Sequence, residues 1–395
     1  MEMMTALCLV LVALTLGDVI SAKTKAFVPS VFVSAMIFII GFWTIFPADM
    51  VDLSGIGSPL AQLSMLLLVT HMGTLMSLKE LAAQWKTMII ALVGIVGICV
   101  GSVALGTAVF GWDTAVIATP PLTGGLVASI MMSDAATAKG LNDLAVLAIL
   151  MYVVQGFAGY PLTAMLLKKE GNKLLADFRG GKVKSSVKNE IASNVVEEES
   201  KFRIIPKLPE KYDTTYMVLL RVAIVALLAV KLETLTGGNI SKYVIGLMLG
   251  AIASEIGFVD RKPLVKAGSF GILMTSLMAF IMAGLAKATP DMLLKMAVPL
   301  IGMIAFGVIG MGIFSIIAGK LLGISKEMSF AVALTALYGF PPNYILTEEA
   351  AKALAETPEE KEFLMDQMLP QMLVGGFTTV TLASVIIAGL FVNFI

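Results

Sequence analysis

The sequence predicts an all-α polytopic membrane protein of about ten transmembrane helices. They form two inverted-topology repeats of five, each with a re-entrant or broken-helix loop before its last helix. Composition, the spacing of apolar runs and an internal register predict this. Of 395 residues, 58% are hydrophobic and 14% charged, against about a quarter charged in an average soluble domain. A mean hydropathy of +0.92 leaves too little polar cover for a fold surrounded by water. The 28 basic and 28 acidic residues balance, so there is no footprint for nucleic acid. Cys8 and Cys99 both lie inside apolar runs, which excludes a disulfide or metal–cysteine framework.

Runs of about 20 apolar residues are long enough to cross a bilayer core as helices. They fall at 4–20, 27–46, 59–78, 87–110 and 141–167. After a polar stretch come 214–232, 242–258, 263–286, 292–318 and 363–394. The first run has Glu2 and no Lys or Arg ahead of it, so it reads as a retained helix and not a signal peptide. Segments 114–138 and 328–354 are too interrupted by Pro, Gly and polar residues to be ordinary spans. The chain therefore divides into a first repeat, 1–168, a cytoplasmic linker, 169–213, and a second repeat, 214–395. The linker is charge-mixed, with a short amphipathic helix expected near 186–200, and reads as a solvated tether.

Lys and Arg placement in short loops sets orientation. Lys23 and Lys25 join the first two spans, Lys79 and Lys86 the third and fourth, and 168–213 holds eleven basic residues. Only Lys139, Lys231, Lys242, Lys287 and Lys295 fall on the opposite face, and Arg221 lies within a span. Both termini are thus expected outside and 168–213 in the cytoplasm, in a bacterial-type cytoplasmic (inner) membrane.

A shift of 216 residues lays Gly41-Phe42 on Gly257-Phe258, and Ala115-Val116 with Thr119 on Ala331-Val332 with Thr335. It also lays Gln155, Gly159 and Thr163 on Gln371, Gly375 and Thr379, each set sharing one helical face. Five spans per half is odd, so the second half enters from the other side. Inverted repeats with Gly/Pro-broken segments in corresponding places mark secondary transporters and point to their binding sites.

The first broken segment reads TPPLTGGLVASIMMSDAATAKG from Thr119. Pro120-Pro121 stops a helix, Thr123-Gly124-Gly125 frees the backbone, and Ser129, Ser133, Asp134 and Thr137 form a polar stripe. In the second, AVALTALYGFPPNYILTEEAAKAL from Ala331, the break is Gly339, Pro341, Pro342 and Asn343. Non-helical backbone at membrane depth is tolerated where protein buries it or a polar cavity borders it. Free N–H groups at a half-helix start can then hold an anionic group and free carbonyls a cation. Gln155 and Gln371 sit beside the two breaks, either bonded between helices or facing a solute path.

These features resemble the bacterial sodium/glutamate symporter family over most of the chain. The resemblance rests on ten spans in two inverted halves, termini on the same side, and a pore loop before each half's last span. The family's Gly-Gly after Ser or Thr is matched by Thr123-Gly124-Gly125, while Leu126-Val127 replaces the His-Gly expected next. The second loop matches in Gly339-Phe340-Pro341-Pro342-Asn343. The resemblance implies a sodium-coupled carrier of a small organic anion or amino acid such as glutamate. It further implies a homodimer whose mobile transport part moves against a fixed scaffold. No cofactor is expected beyond Na+ as coupling ion, placed near Gly125, Asp134 and Asn343. The partners are a small anionic or zwitterionic solute and the lipid bilayer.

Other polar residues have plainer readings. His71, the single histidine, reads as structural, and one histidine cannot build a metal site. Arg221 is near enough to its span's cytoplasmic end to snorkel, and Asp18 and Glu255 read as interfacial. Asp134 follows the first break, and Glu349 takes the comparable place in the second segment with one residue gapped. No buried carboxylate pair or histidine chain marks a proton route, which favours sodium. The alternatives are a passive channel or a proton-coupled carboxylate transporter or exporter of the same architecture. No zinc-binding His-Glu-x-x-His, catalytic aspartate pair or nucleophile–histidine pair lies in the spans, so an enzyme is not expected.

Overall fold

The computed structural model describes residues 1–75, 78–181, 204–206, 209–237, 240 and 242–395. Among these every regular element is helical. The helices are α1 (Met3–Lys23), α2 (Ser30–Thr44), α3 (Met50–Leu53), α4 (Ser58–Gly73), α5 (Leu78–Ala83) and α6 (Trp85–Phe110). Next come α7 (Trp112–Leu122), α8 (Leu126–Ala138), α9 (Asn142–Arg179), α10 (Thr215–Leu235), α11 (Lys242–Glu255) and α12 (Pro263–Lys266). The last six are α13 (Phe270–Ala283), α14 (Pro290–Leu322), α15 (Lys326–Leu334), α16 (Pro342–Leu354), α17 (Pro358–Thr378) and α18 (Ser384–Phe391).

Among the described residues, six helices are long and apolar enough to cross a membrane: α1, α6, α9, α10, α14, and α13 with its 3₁₀ extension to Lys287. Helix α2 is apolar but shorter. The chain is a multi-pass, membrane-embedded helical protein. The amphipathic helix expected near 186–200 lies outside the described residues.

Three runs depart furthest from their expected bounds. The run at 263–286 divides into α12 and α13, because the chain turns at Gly268 with φ +66°. The run at 363–394 becomes α17, a π-helical stretch Thr379–Ala383, and α18. Helix α9 does not end near 167 but continues to Arg179. Its extension buries Glu170, Gly171 and Leu175, and a Cβ at Gly171 would lie 2.6 Å from Cδ1 of Leu354.

Four helix starts in the second half carry side-chain caps. Thr214, Thr289, Ser325 and Thr357 each accept a backbone N–H from three residues on, at the starts of α10, α14, α15 and α17. Such a cap satisfies one of the donors that a helix start leaves open. Helix α14 shows both ends: Pro290 follows the Thr289 cap, and Gly323 closes it at φ +74°.

The chain separates into two compact units. One comprises Met1–Leu7, Val51–Trp85 and Val183–Ile281. In it α4 and α11 cross at glycines: a Cβ at Gly73 would lie 2.1 Å from the Leu247 carbonyl oxygen, and one at Gly250 2.2 Å from that of Thr70. Small residues permit this backbone approach, which is how helices associate when lipid removes a hydrophobic drive between them. His71 is buried there; its Nδ1 accepts the Leu264 N–H at 3.3 Å, and its ring centre lies 5.2 Å from that of Phe270. The guanidinium of Arg221 sits 5.6 Å from the Phe258 ring centre, a cation–π contact.

The other unit comprises Cys8–Met50, Lys86–Lys182 and Met282–Ile395. It is arranged about α9, which packs against α7, α8, α15, α16 and α17. Here α6 meets α14 at glycines, with a Cβ at Gly310 only 2.1 Å from the Gly97 carbonyl oxygen.

Candidate functional site: two broken helices that meet

Both interrupted segments are broken helices in the second unit. In the first, α7 stops at Leu122 and α8 starts at Leu126. In the second, α15 ends at Leu334, a 3₁₀ turn covers Thr335–Leu337, and α16 starts at Pro342. Pro120 and Pro121 lie in the last turn of α7, where lost N–H groups weaken continuation. Gly124 and Gly125 follow with φ +111° and +99°, conformations that only glycine takes readily. At the second break Gly339 has φ +67°.

The two breaks meet. A Cβ at Gly124 would lie 3.0 Å from the Ala336 carbonyl oxygen and 3.3 Å from Cγ2 of Val380. One at Gly339 would lie 3.0 Å from the same Val380 Cγ2. Gly125 faces the hydroxyl of Ser384 and the carbonyl of Val380, at 3.1 and 3.2 Å from an added Cβ. The π-helical stretch that contains Val380 thus touches both breaks. Such bulges recur at functional sites. Val380 and Ser384 are not readable from sequence, since neither is polar enough nor close enough to a motif to attract notice. The register does place Thr379 beside them.

Two half-helices therefore begin in the protein interior. Neither N-terminus has a side-chain cap: α8 starts after Gly125 and α16 after Pro341. Each carries the positive end of a helix dipole, but at α16 Pro342 has no N–H and those of Asn343, Tyr344 and Ile345 are already bonded within the break.

The expected site residues divide by role. Thr123 is buried and its hydroxyl donates to the Pro120 carbonyl at 2.8 Å. Ser129, also buried, donates to the Ala148 carbonyl at 2.8 Å and so fastens α8 to α9. Pro341 and Pro342 are buried at the start of α16. Asn343 is buried too; its Nδ2 donates to the Met372 carbonyl at 2.9 Å and its Oδ1 accepts the Tyr344 N–H at 2.7 Å. That amide holds the second break against α17. Asp134 is exposed, on the side of α8 away from the buried Ala128 and Met132.

The glutamines stand apart. Gln155 is 1% exposed, and its Oε1 has no hydrogen-bond partner. The Oε1 of Gln371 is likewise buried and unpartnered, while its Nε2 donates to the Gln367 carbonyl at 3.1 Å. Buried polar atoms are nearly always paired, so these two repeat-matched acceptors call for a donor or a cation. One turn beyond each, a glycine meets the second segment. A Cβ at Gly159 would lie 2.7 Å from Cδ1 of Tyr338, and one at Gly375 2.8 Å from Cγ1 of Val332. Thr163 and Tyr338 share a hydroxyl–hydroxyl hydrogen bond of 2.8 Å. Tyr338, in the break itself, is a residue that a search for charged or amide groups passes over.

No protein-family model matches the chain, and no curated protein sequence matches it.

Proposed function

We propose that the chain is an ion-coupled secondary transporter for a small organic anion or amino acid such as glutamate, with Na+ as coupling ion. The observation that carries this is the meeting of two broken helices at Val380, with two uncapped half-helix N-termini beside them. The positive dipole end of a helix that starts in the interior, as α8 does after Gly125, suits a carboxylate. The carbonyls at the ends of α7 and of the 3₁₀ turn, with the orphan amide oxygens of Gln155 and Gln371, suit a cation or an ammonium group.

The register supports an inverted repeat as the frame. Shifting by 216 residues carries Leu126–Ala138 onto Pro342–Leu354 end for end, and the start of α9 at Asn142 onto that of α17 at Pro358. In this reading the ten spans, outside termini, cytoplasmic linker and inner-membrane setting follow from the loop charges. A homodimer, with the broken helices in its moving parts, completes it by the resemblance described above.

A thermal-shift screen of amino acids and carboxylates on the purified protein, with and without sodium, tests it. A true solute stabilises the fold by about 2.7 kcal/mol at a hundredfold excess over its Kd. The expected result is a carboxylate-bearing ligand whose stabilisation grows with sodium. A set of such ligands that bind equally well in potassium and sodium removes sodium from the account, and no stabilisation by any of them removes the substrate class.

A further inference from the structure

The sequence offers no buried carboxylate pair, yet the second unit brings two carboxylates together at the corner between α1 and α2. Helices α1 and α2 approach closely there, for a Cβ at Gly17 would lie 2.7 Å from the Ser30 carbonyl oxygen. Glu349, half-buried on α16, reaches this corner. Both of its carboxylate oxygens accept the Ser30 N–H, each at 3.2 Å. Ser30 is the first residue of α2, whose start has no side-chain cap of its own. A carboxylate from a distant helix thus closes that N-terminus, where negative charge is stabilised. Ser21 and Ser30 are buried at this corner, and the exposed Asp18 stands near enough to act electrostatically on Glu349.

The surrounding charges leave Glu349 to this donor. Its neighbour Glu348 takes both nearby lysines, Lys352 at 2.9 Å and, from α17, Lys361 at 3.4 Å. Lys352 also acts on Asp18. Helix α2 has no titratable side chain, and on α9 Lys168 donates to the Lys25 carbonyl at 2.7 Å. Among the described residues no cation lies within ion-pair distance of Glu349. Its hold on α2 is therefore a set of charge-assisted hydrogen bonds that exist only while the carboxylate is ionised.

We propose that Glu349 is a proton-operated latch that, when ionised, caps α2 and fastens α16, the outgoing arm of the second break, to the corner between α1 and α2. On acidification one proton from water binds a Glu349 oxygen, and the net change is one proton bound. Neutral Glu349 is a poorer acceptor and the cap opens. The latch lies about 10 Å along α16 from Pro342, at 1.5 Å per residue, so its state bears directly on the break. That this arm moves during transport rests on the reading given above, whereas the latch itself does not.

Hydrogen–deuterium exchange of the full chain in lipid nanodiscs, corrected for intrinsic exchange rates, tests the latch without any solute. In the wild type, protection of 342–354 and of the first turn of α2 should fall about tenfold from pH 8 to pH 5, the size expected for hydrogen bonds to a charged group. Glu349→Gln should show the low protection at every pH, with α4 and α11 unchanged. Ser30→Pro removes the donor while keeping a residue suited to the first helical position, and it should also abolish the pH dependence. Wild-type protection that does not change with pH, or a Glu349→Gln protein that keeps the wild-type dependence, overturns the proposal. Should Glu349→Gln lose protection throughout, Ser30→Pro decides alone: pH-insensitive protection supports the latch, and wild-type behaviour overturns it.

Discussion

At the first break the chain turns on two glycines, and at the second on two prolines and a buried amide. The hydrogen bonds differ accordingly. At the first break Thr119 and Thr123 bond within their own helix, to the Ala115 and Pro120 carbonyls, and only Ser129, one turn into α8, reaches across to α9. Around the second break they reach across elements, Asn343 to α17 and Tyr338 to Thr163 on α9. The turn of the first break is thus held by shape, through contact with Val380 and Ser384, with one directed bond from α8 to α9, and the second by directed bonds to two neighbouring helices. A repeat that keeps the positions of its breaks need not keep the chemistry that makes them.

That contrast makes different substitutions critical on the two sides. The largest expected effect is Gly125→Val. A branched side chain at φ +99°, facing the Val380 carbonyl and the Ser384 hydroxyl, should cost about 3 kcal/mol. Thermal unfolding in detergent measures it, and sodium-dependent ligand stabilisation should vanish while membrane insertion persists. Normal ligand stabilisation in that variant would mean that the first break does not need its glycine. Next comes Asn343→Ala, which removes the side-chain bond to the Met372 carbonyl and one of the two acceptors of the Tyr344 N–H, the other being the Pro341 carbonyl. Each lost bond of this kind counts, and about 2 kcal/mol is expected, read in the same assay. A smaller loss than that of a Thr163→Val control would undo the idea that the second break depends on its amide.

The smallest effect concerns the end of α9. Arg179 donates to both oxygens of Glu360, at 2.6 and 2.8 Å, and lies 3.2 Å from Glu356. The guanidinium holds the Glu360 carboxyl down to about 2, from an ordinary value of 4.5. A depressed carboxylate contributes stability that is full above its unfolded value and is lost as pH falls through the folded one. Arg179→Gln should therefore lower the melting temperature at neutral pH, and the gap to wild type should narrow below pH 4.5. Because Arg179 is partly exposed, solvent screening keeps the effect slight. A gap that stays constant on acidification would show that the pair contributes nothing through Glu360.

The positions of the breaks could be read from the chain because Pro120-Pro121, Gly124-Gly125 and Pro341-Pro342 act locally, on their own backbone. What meets at the breaks could not be read. Val380 is an ordinary apolar residue, and its importance arises only because a π-helical stretch brings it against Gly124 and Gly339. The acidic residues show the same limit from the other side. Asp134 and Glu349 are comparable by alignment, yet one is exposed and the other caps a helix. Burial of a charge depends on what packs across from it, which spacing along one segment does not encode. For Asn343 the residue was evident but not its use, since a buried amide serves a backbone carbonyl 29 positions away as readily as a ligand.

The 38 residues of α9 make a rod about 57 Å long, well beyond the roughly 30 Å of a hydrocarbon core. Its far end is bound to other elements by polar contacts. Glu170 accepts from the capping hydroxyl of Ser325, Lys173 pairs with Glu327, and Arg179 pairs with Glu356 and Glu360. These partners stand at or just before the first turns of α15 and α17, the incoming arm of one break and the helix that leads into the π-helical stretch with Val380. The far end of the rod is thereby tied to both elements that flank the second break, the start of α15 and the start of α17.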